Sequence, residues 1–192
     1  DVALEILKHP NKCKLDHVRN ETTILMQTTF YGMEKVALKI LEHPKKCKLD
    51  HIHKYSKNTA LMYAIGFKME KVVLEMLKYP DQCNLGVENN LGETALLWAC
   101  KSEMEKVALE ILKYPYQCNL SAINHKKSTI LMWTIDNKME NIALEILKYP
   151  KQCNLNHVDR NGKTALQLAI KNKMEKVALK ILNYHSQCNL DH

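Results

Sequence analysis

Asn161–Leu182 reads NGKTALQLAIKNKMEKVALKIL, and the rest of the chain is variation on it. Self-similarity at a fixed period overrides any domain-by-domain reading, so it is tested first. Thr recurs at Thr23, Thr59, Thr94, Thr129 and Thr164, and Met recurs at Met33, Met69, Met104, Met139 and Met174. Cys recurs at Cys13, Cys47, Cys83, Cys118, Cys153 and Cys188, and Leu follows each of these by two. Pro recurs at Pro10, Pro44, Pro80, Pro115 and Pro150. Thr to Met is always 10 residues and Met to Cys always 14, whereas Cys to Thr takes 10, 12, 11, 11 and 11. Constant spacing marks packed elements, and the one variable step marks a surface loop. The unit is therefore about 35 residues long.

Within a unit the letters predict two helices. Thr is a good N-cap, and Thr94 is followed by Ala95, Leu96, Leu97, Trp98 and Ala99. Gln167 stands three residues after Thr164 and completes a capping box in the last unit only. The first helix is short, roughly nine residues, and ends at a polar turn such as Ser102–Glu103 or Asn137–Lys138. A second helix over Met104–Lys113 carries Met104, Val107, Ala108, Ile111 and Leu112, the i, i+3, i+4, i+7, i+8 stripe of an amphipathic helix. Glu105, Lys106, Glu110 and Lys113 cover its exposed side. Pro115 ends it, because the residue before proline is pushed out of the α region. An extended Cys-Asn-Leu segment and a polar loop follow, and Gly92 and Gly162 make tight turns in two of those loops.

One elongated array over residues 1–192 is expected: a second helix alone in 1–17, then units at 18–51, 52–87, 88–122, 123–157 and 158–192. Neither end carries the polar face of a terminal cap, so a longer array, or another element covering the ends, is expected. Hydrophobic residues make up 46% of the chain, enough for a continuous core, while five Gly and five Pro in 192 residues argue against a turn-rich β architecture. No apolar run approaches the length of a membrane span, and no leader pattern is present. Stacked units hold equivalent Cys roughly a helix-packing distance of ~10 Å apart, beyond the ~7 Å Cα limit of a disulfide. Buried free thiols are expected, and with them a reducing compartment: intracellular, with the cytoplasm ahead of the nucleus. Cys100 is the odd one, in a first helix where the other units have Thr29, Ile65, Ile135 and Ile170.

These residues resemble an ankyrin repeat. Gly162-Lys163-Thr164-Ala165-Leu166-Gln167-Leu168-Ala169 and Gly92-Glu93-Thr94-Ala95-Leu96-Leu97-Trp98-Ala99 stand where the family has Gly-x-Thr-Pro-Leu-His-x-Ala. Cys153-Asn154-Leu155-Asn156 and Asp159 resemble the family's Ala-Asp-Val-Asn and its following finger Asp. The Pro after Thr is replaced by Ala or Ile, the Gly-His between helices is missing, and about two residues are added around Tyr-Pro-x-Gln. The Lys- and Asn-rich near-copies resemble expanded arrays of intracellular parasites or large DNA viruses, and also a consensus-like array. The resemblance implies an all-α ankyrin-type solenoid of helix-turn-helix repeats with short β-turn fingers, acting as a scaffold or adaptor.

Function was sought against bland readings. Cys153 and His157 superficially suggest zinc, with His17 and His51 in the same slot, but the repeat spreads such residues along the stack and zinc needs four convergent ligands. No metal, no cofactor and no catalysis are expected, since phosphate loop, dinucleotide fingerprint and nucleophile elbow are all missing. The Met series reads as core, and Tyr79, Tyr114, Tyr149 and Tyr184 as a stacking ladder. The formal charge of +7 and the loop residues Lys54, Lys57, Lys126, Lys127, Arg160 and Lys163 keep a nucleic-acid-binding array as one alternative, and a pure spacer as another. The leading expectation is a protein partner held on a concave face of fingers and first-helix ends. The positions that vary between copies there are Arg19, Asn20, Phe30 and Tyr31; Lys54, Tyr55, Asn58 and Phe67; Asn90, Leu91, Glu93, Lys101 and Ser102; His125, Lys126, Ser128, Asp136 and Asn137; and Arg160, Asn161, Lys163, Lys171 and Asn172. Aromatics and Arg dominate hot spots, so units one and two are expected to carry the strongest contact.

Overall fold

The computed structural model describes residues 13–184. The half-unit helix expected over Asp1–Pro10 and the last members of the periodic series, Cys188 and Leu190, lie outside the described residues. What is described is a stack of five helix pairs: α1 Ile24–Phe30 and α2 Glu34–Leu41, α3 Ala60–Gly66 and α4 Glu70–Met76, α5 Ala95–Lys101 and α6 Glu105–Ile111, α7 Ile130–Asp136 and α8 Glu140–Ile146, α9 Ala165–Lys171 and α10 Glu175–Leu182. First helices pack on first helices of the next unit, and second helices on second helices.

Each first helix begins where the sequence places its cap. The hydroxyls of Thr23, Thr59, Thr94, Thr129 and Thr164 accept from the backbone N–H three residues on, and the capping box of Thr164 and Gln167 is formed. The helices are shorter than expected, with first helices of seven residues and α6 at Glu105–Ile111. The reason is visible at their ends. In unit two, Met69 N–H donates to the Ala64 carbonyl and Lys68 N–H to Ile65, both at 2.9 Å, with Lys68 left-handed at φ 55°. This is a Schellman stop, and Glu103, Lys138, Lys173 and Gly32 make the same one. The periodic Met is thus the residue after the left-handed stop and also the N-cap of the second helix, which explains its constant distance from Thr.

After the second helix the chain is not extended as expected. Pro44–Lys46, Pro80–Gln82 and Pro150–Gln152 each form a turn of 3₁₀ helix, and Lys48, Asn84, Asn119 and Asn154 are left-handed. Asn tolerates that conformation through its short polar side chain. The turn buries Cys47, Cys83, Cys118 and Cys153 as free thiols. Cys83 and Cys153 donate to the carbonyls of Met76 and Ile146 at 3.1 and 3.2 Å, joining the Tyr79 and Tyr149 N–H groups on those helix-end acceptors. Burial pushes the Cys47 thiol up to about 11, and those of Cys83, Cys118 and Cys153 up to about 12.

The core is one column per slot. Leu25, Leu61, Leu96 and Leu131 are fully buried in the first-helix layer, and Ile40, Met76, Ile111, Ile146 and Ile181 in the second. Burying each such side chain contributes about 1.5–3 kcal/mol, so hydrophobic stacking supplies the main cohesion. Met33 departs from the core reading of its series, being exposed where Met69 and Met174 are buried. The fingers are minimal: Val18–Arg19 pairs antiparallel with Thr22–Thr23, and single bridges join Ile52 to Thr59 and Ile123 to Thr129. No helix among the described residues is long and apolar enough to cross a membrane.

Candidate partner-binding surface

The fingers and the C-terminal halves of the first helices form one face. The fingers of units three to five are each shaped by a side chain that accepts two backbone N–H groups. Asn89 Oδ1 accepts from Leu91 and Glu93 at 2.9 and 3.0 Å, Asn124 Oδ1 from Lys126 and Ser128 at 2.9 and 3.1 Å, and Asp159 Oδ1 from Asn161 and Lys163 at 2.8 and 2.9 Å. Burial raises the Asp159 carboxyl, but these N–H bonds, the Asn161 amide and the Lys163 charge together outweigh it and hold it below its ordinary value. The tips turn through left-handed residues, Gly92 and Gly162 as expected and Glu21, Lys57 and Lys127 elsewhere.

Neighbouring fingers are tied to each other. Asn90 N–H donates to the Ser56 carbonyl at 3.1 Å and its side-chain amide to Tyr55; His125 N–H donates to Leu91 at 2.8 Å; the Arg160 guanidinium donates to the His125 carbonyl. His51 Nε2 lies 3.0 Å from the Glu21 carbonyl, and His157 Nε2 lies 3.0 Å from that of Lys127. His51 and His157, two of the histidines just beyond the periodic Cys, therefore bridge to the preceding finger.

The structure places the expected contact residues unequally. Arg19, Asn20, Phe30, Tyr31, Lys54, Tyr55, Phe67, Leu91, Lys101, Lys126, Asp136, Asn137, Asn161 and Lys171 are exposed, as are Asn90, His125 and Arg160 of the inter-finger ladder. Asn58, Ser102, Ser128, Lys163 and Asn172 are half-buried. Asn58 Oδ1 accepts from the Asn89 amide at 3.1 Å, and the Asn172 amide donates to Asp136 at 3.2 Å. Glu93 is a correction. It is only 2% exposed, with its carboxylate accepting from Trp98 Nε1 at 3.0 Å and from Lys101 Nζ at 2.7 Å. A buried carboxylate is tolerable only when paired and hydrogen-bonded, and Glu93 meets both conditions inside the stack instead of facing a partner.

In units one and two the structure brings aromatics together. Phe30 meets Tyr31, Tyr63 and Phe67 edge-to-face at centroid distances of 5.3, 5.4 and 6.1 Å. Phe30, Tyr31 and Phe67 remain 49%, 71% and 52% exposed. Tyr55 extends the cluster along the finger, with the His53 ring at 5.8 Å and Lys54 Nζ 5.8 Å from its own ring. Beneath the cluster, between the first finger and α1, is an open cleft of about 490 Å³ lined by Arg19, Asn20, Gln27, Phe30, His53 and Tyr63 among others. A second cleft of about 500 Å³ between the fourth and fifth fingers is polar, lined by Lys126, Trp133, Asp136, Asp159 and Arg160 among others.

Sequence reasoning missed Tyr63, Trp98 and Trp133. All three stand four residues after the capping Thr, where unit one has Gln27 and unit five Leu168, and all are half-buried on the same face. The available signal was the size change in that column. The Trp98 ring covers Gly66, whose missing Cβ would lie 2.8 Å from Trp98 Cζ3.

A stack of paired seven- and eight-residue helices bearing linked finger turns defines an ankyrin array. Consistent with that geometry, a model of ankyrin repeats (three copies) matches residues 25–122 and 108–192. The chain belongs to the ankyrin repeat family. A solved chain from the Bd0816 predatory endopeptidase of Bdellovibrio bacteriovorus in complex with immunity protein Bd3460 is similar in fold: TM-score 0.65 and 22% identity, over 94% of this chain and 90% of that one. Comparison with curated protein sequences gives no match.

Proposed function

We propose that the array is a non-catalytic interaction module that holds a protein partner on its finger and first-helix face, as an adaptor or scaffold. The observation that carries this reading is the solvent-facing cluster of Phe30, Tyr31 and Phe67, with the exposed Tyr55 ring on the neighbouring finger. Large rings held edge-to-face by one another lose little freedom on binding and bury much area, which is the make-up of an interface hot spot. Ankyrin arrays are generally protein-binding modules, and the similar solved chain comes from a protein complex. The remaining varied positions, from Asn90 through Lys171, supply complementarity around that centre.

The test is capture of partner from source cells by the chain, repeated with Phe30→Ala, Tyr31→Ala and Phe67→Ala together. Each hot-spot truncation weakens binding by about 2 kcal/mol or more, so the triple variant should lose capture entirely. Its melting should stay within a few degrees of the parent, because the rings are about half exposed or more. Undiminished capture, or an array that simply melts, refutes the assignment.

A further inference from the structure

The cleft between the first finger and α1 combines three features found together nowhere else among the described residues. Part of its lining is apolar, from Met26, Phe30 and Tyr63, and Asn20, Thr22, Gln27 and His53 line much of the rest. Its walls are held in place: Tyr63 Oη lies 3.2 Å from Ser56 Oγ, His53 Nδ1 lies 2.8 Å from the same hydroxyl, and the Gln27 amide donates to Thr22 Oγ1 at 2.9 Å. Its rim carries Arg19, an exposed guanidinium with no carboxylate partner among the described residues. At about 490 Å³ it falls within the ~300–1,000 Å³ range of small-ligand clefts, ample for one large side chain with flanking backbone.

The charge around it is one-sided. On the second-helix face several cations are paired: Lys106 with Glu70 at 2.7 Å, Lys78 with Glu75 at 2.6 Å, Lys113 with Glu110 at 2.7 Å and Lys148 with Glu145 at 2.6 Å. Along the finger tips Arg19, Lys57, Lys126 and Lys127 are exposed without a carboxylate partner among the described residues, and only Lys54 pairs, at 3.7 Å from Glu21. Lysines unpaired among the described residues also lie elsewhere, at the helix-to-helix turns, but these finger-tip cations are the ones on the same face as the cleft.

We propose that this cleft receives one large apolar side chain, aromatic or leucine, from an extended acidic segment of the partner, whose carboxylates pair with Arg19 and run along the finger row. The proposal rests on the reading of the array as an interaction module and names the chemistry of what it holds. An apolar anchor fits the ring-lined floor, and acidic flanks fit the unpaired cations by charge complementarity. Nucleic acid fits less well. Its bases stack on open ring faces, whereas Phe30 is engaged edge-to-face by three neighbours.

The test is selection from a random displayed-peptide library on the full chain, followed by fluorescence anisotropy of a synthesised winner. The expected winners share one aromatic residue or leucine flanked by Asp or Glu. The winner should bind more weakly as salt rises, and lose about tenfold or more on Phe30→Ala and on Arg19→Glu. Phe30→Leu, which keeps an apolar floor, should retain most of the binding. Enrichment of basic or uncharged peptides, or no enrichment, overturns the proposal, as does equal binding by Arg19→Glu. Competition by random single-stranded or duplex oligonucleotides overturns it too. If the array captures a cellular partner while the selection fails in any of these ways, the module reading stands and the cleft assignment falls. If capture fails as well, both fall.

Discussion

Four of the five helix-to-helix turns place a residue other than glycine in the left-handed region: Lys68 at φ 55°, Glu103 at 58°, Lys138 at 57° and Lys173 at 59°. The first unit has Gly32 there, at φ 66°. All five close the same Schellman stop, so the backbone demand is common and only the residue differs. A residue with a Cβ loses roughly 1–2 kcal/mol in this region relative to glycine. Glycine in turn gains roughly 0.5–1 kcal/mol of freedom in the unfolded chain, which offsets part of that. The net gain is about 0.5–1 kcal/mol per site for Lys68→Gly, Glu103→Gly, Lys138→Gly and Lys173→Gly. The four side chains are exposed and make no ion pair or side-chain hydrogen bond among the described residues, so nothing else is removed. Sites in separate units add, giving about 2–4 kcal/mol for the quadruple variant. For a chain of this size that is a rise in Tm on the order of 10 °C. Urea unfolding followed by circular dichroism should show the midpoint moving up with its slope unchanged. Gly32→Lys is the internal control and should move the midpoint down by about one site's worth. A quadruple variant no more stable than the parent, with Gly32→Lys neutral, would refute the account of strain at these turns.

Gly92→Ala and Gly162→Ala should differ although both glycines are left-handed. A Cβ at Gly92 would lie 2.4 Å from the Ile123 carbonyl oxygen of the next finger, whereas one at Gly162 meets nothing within 4 Å. Urea titration should show Gly162→Ala losing only the net backbone term of about 0.5–1 kcal/mol and Gly92→Ala clearly more; equal losses would contradict the finger packing. Gly66→Ala should push the Trp98 ring off α3 and shift tryptophan emission, and an unchanged spectrum would show the ring is not seated there. The buried thiols predict an alkaline limit. Cys83, Cys100, Cys118 and Cys153 are pushed up to about 12 and Cys47 to about 11, all chiefly by burial. Below pH ~9 these thiols are protonated folded or unfolded and contribute nothing to pH dependence. Above it the unfolded chain ionises first, so stability falls by about 1.4 kcal/mol per thiol per pH unit up to the folded value. Thiolate absorbance should therefore rise together with loss of helix between pH ~9 and 11; thiolate signal from these cysteines in a still-helical array would refute it.

The repeat, its caps and its free thiols were legible because each depends on neighbours inside one unit at constant spacing. Thr and the N–H three residues on belong to the same helix turn, so the letters alone carry the contact. What escaped depends on backbone conformation and on which side chains close over one another. The helix stops were read as polar turns, but their left-handed geometry at Lys68 or Lys138 is set by tertiary stacking over a locally unfavourable residue. Glu93 looked like one more variable polar finger residue beside Asn58 and Ser128. Its burial follows from Trp98 and Lys101, five and eight residues on, closing over it from α5. Those two letters were in view, but a column-by-column comparison does not pair residues across columns.

That pairing changes how variation between copies relates to recognition. A position that varies is free for a partner only if its neighbour in the stack has not already engaged it. In units three to five the varied polar residues are largely engaged: Glu93 with Lys101, Asn90 with the Tyr55 and Ser56 carbonyls, Arg160 with His125, Asn172 with Asp136. These substitutions stiffen the row of fingers and hold their spacing. In units one and two four of the eight varied residues are aromatic and turn their bulk outward, and Arg19 stands unpaired among the described residues beside them. The same degree of sequence drift thus serves two ends. At one end of the stack it locks copies together, and at the other it leaves large rings facing solvent. Breaking an engaged position such as Arg160→Ala should alter finger spacing and weaken a long partner modestly. Breaking Phe30 should abolish the anchor itself, and that difference in size separates a positioning residue from a contact.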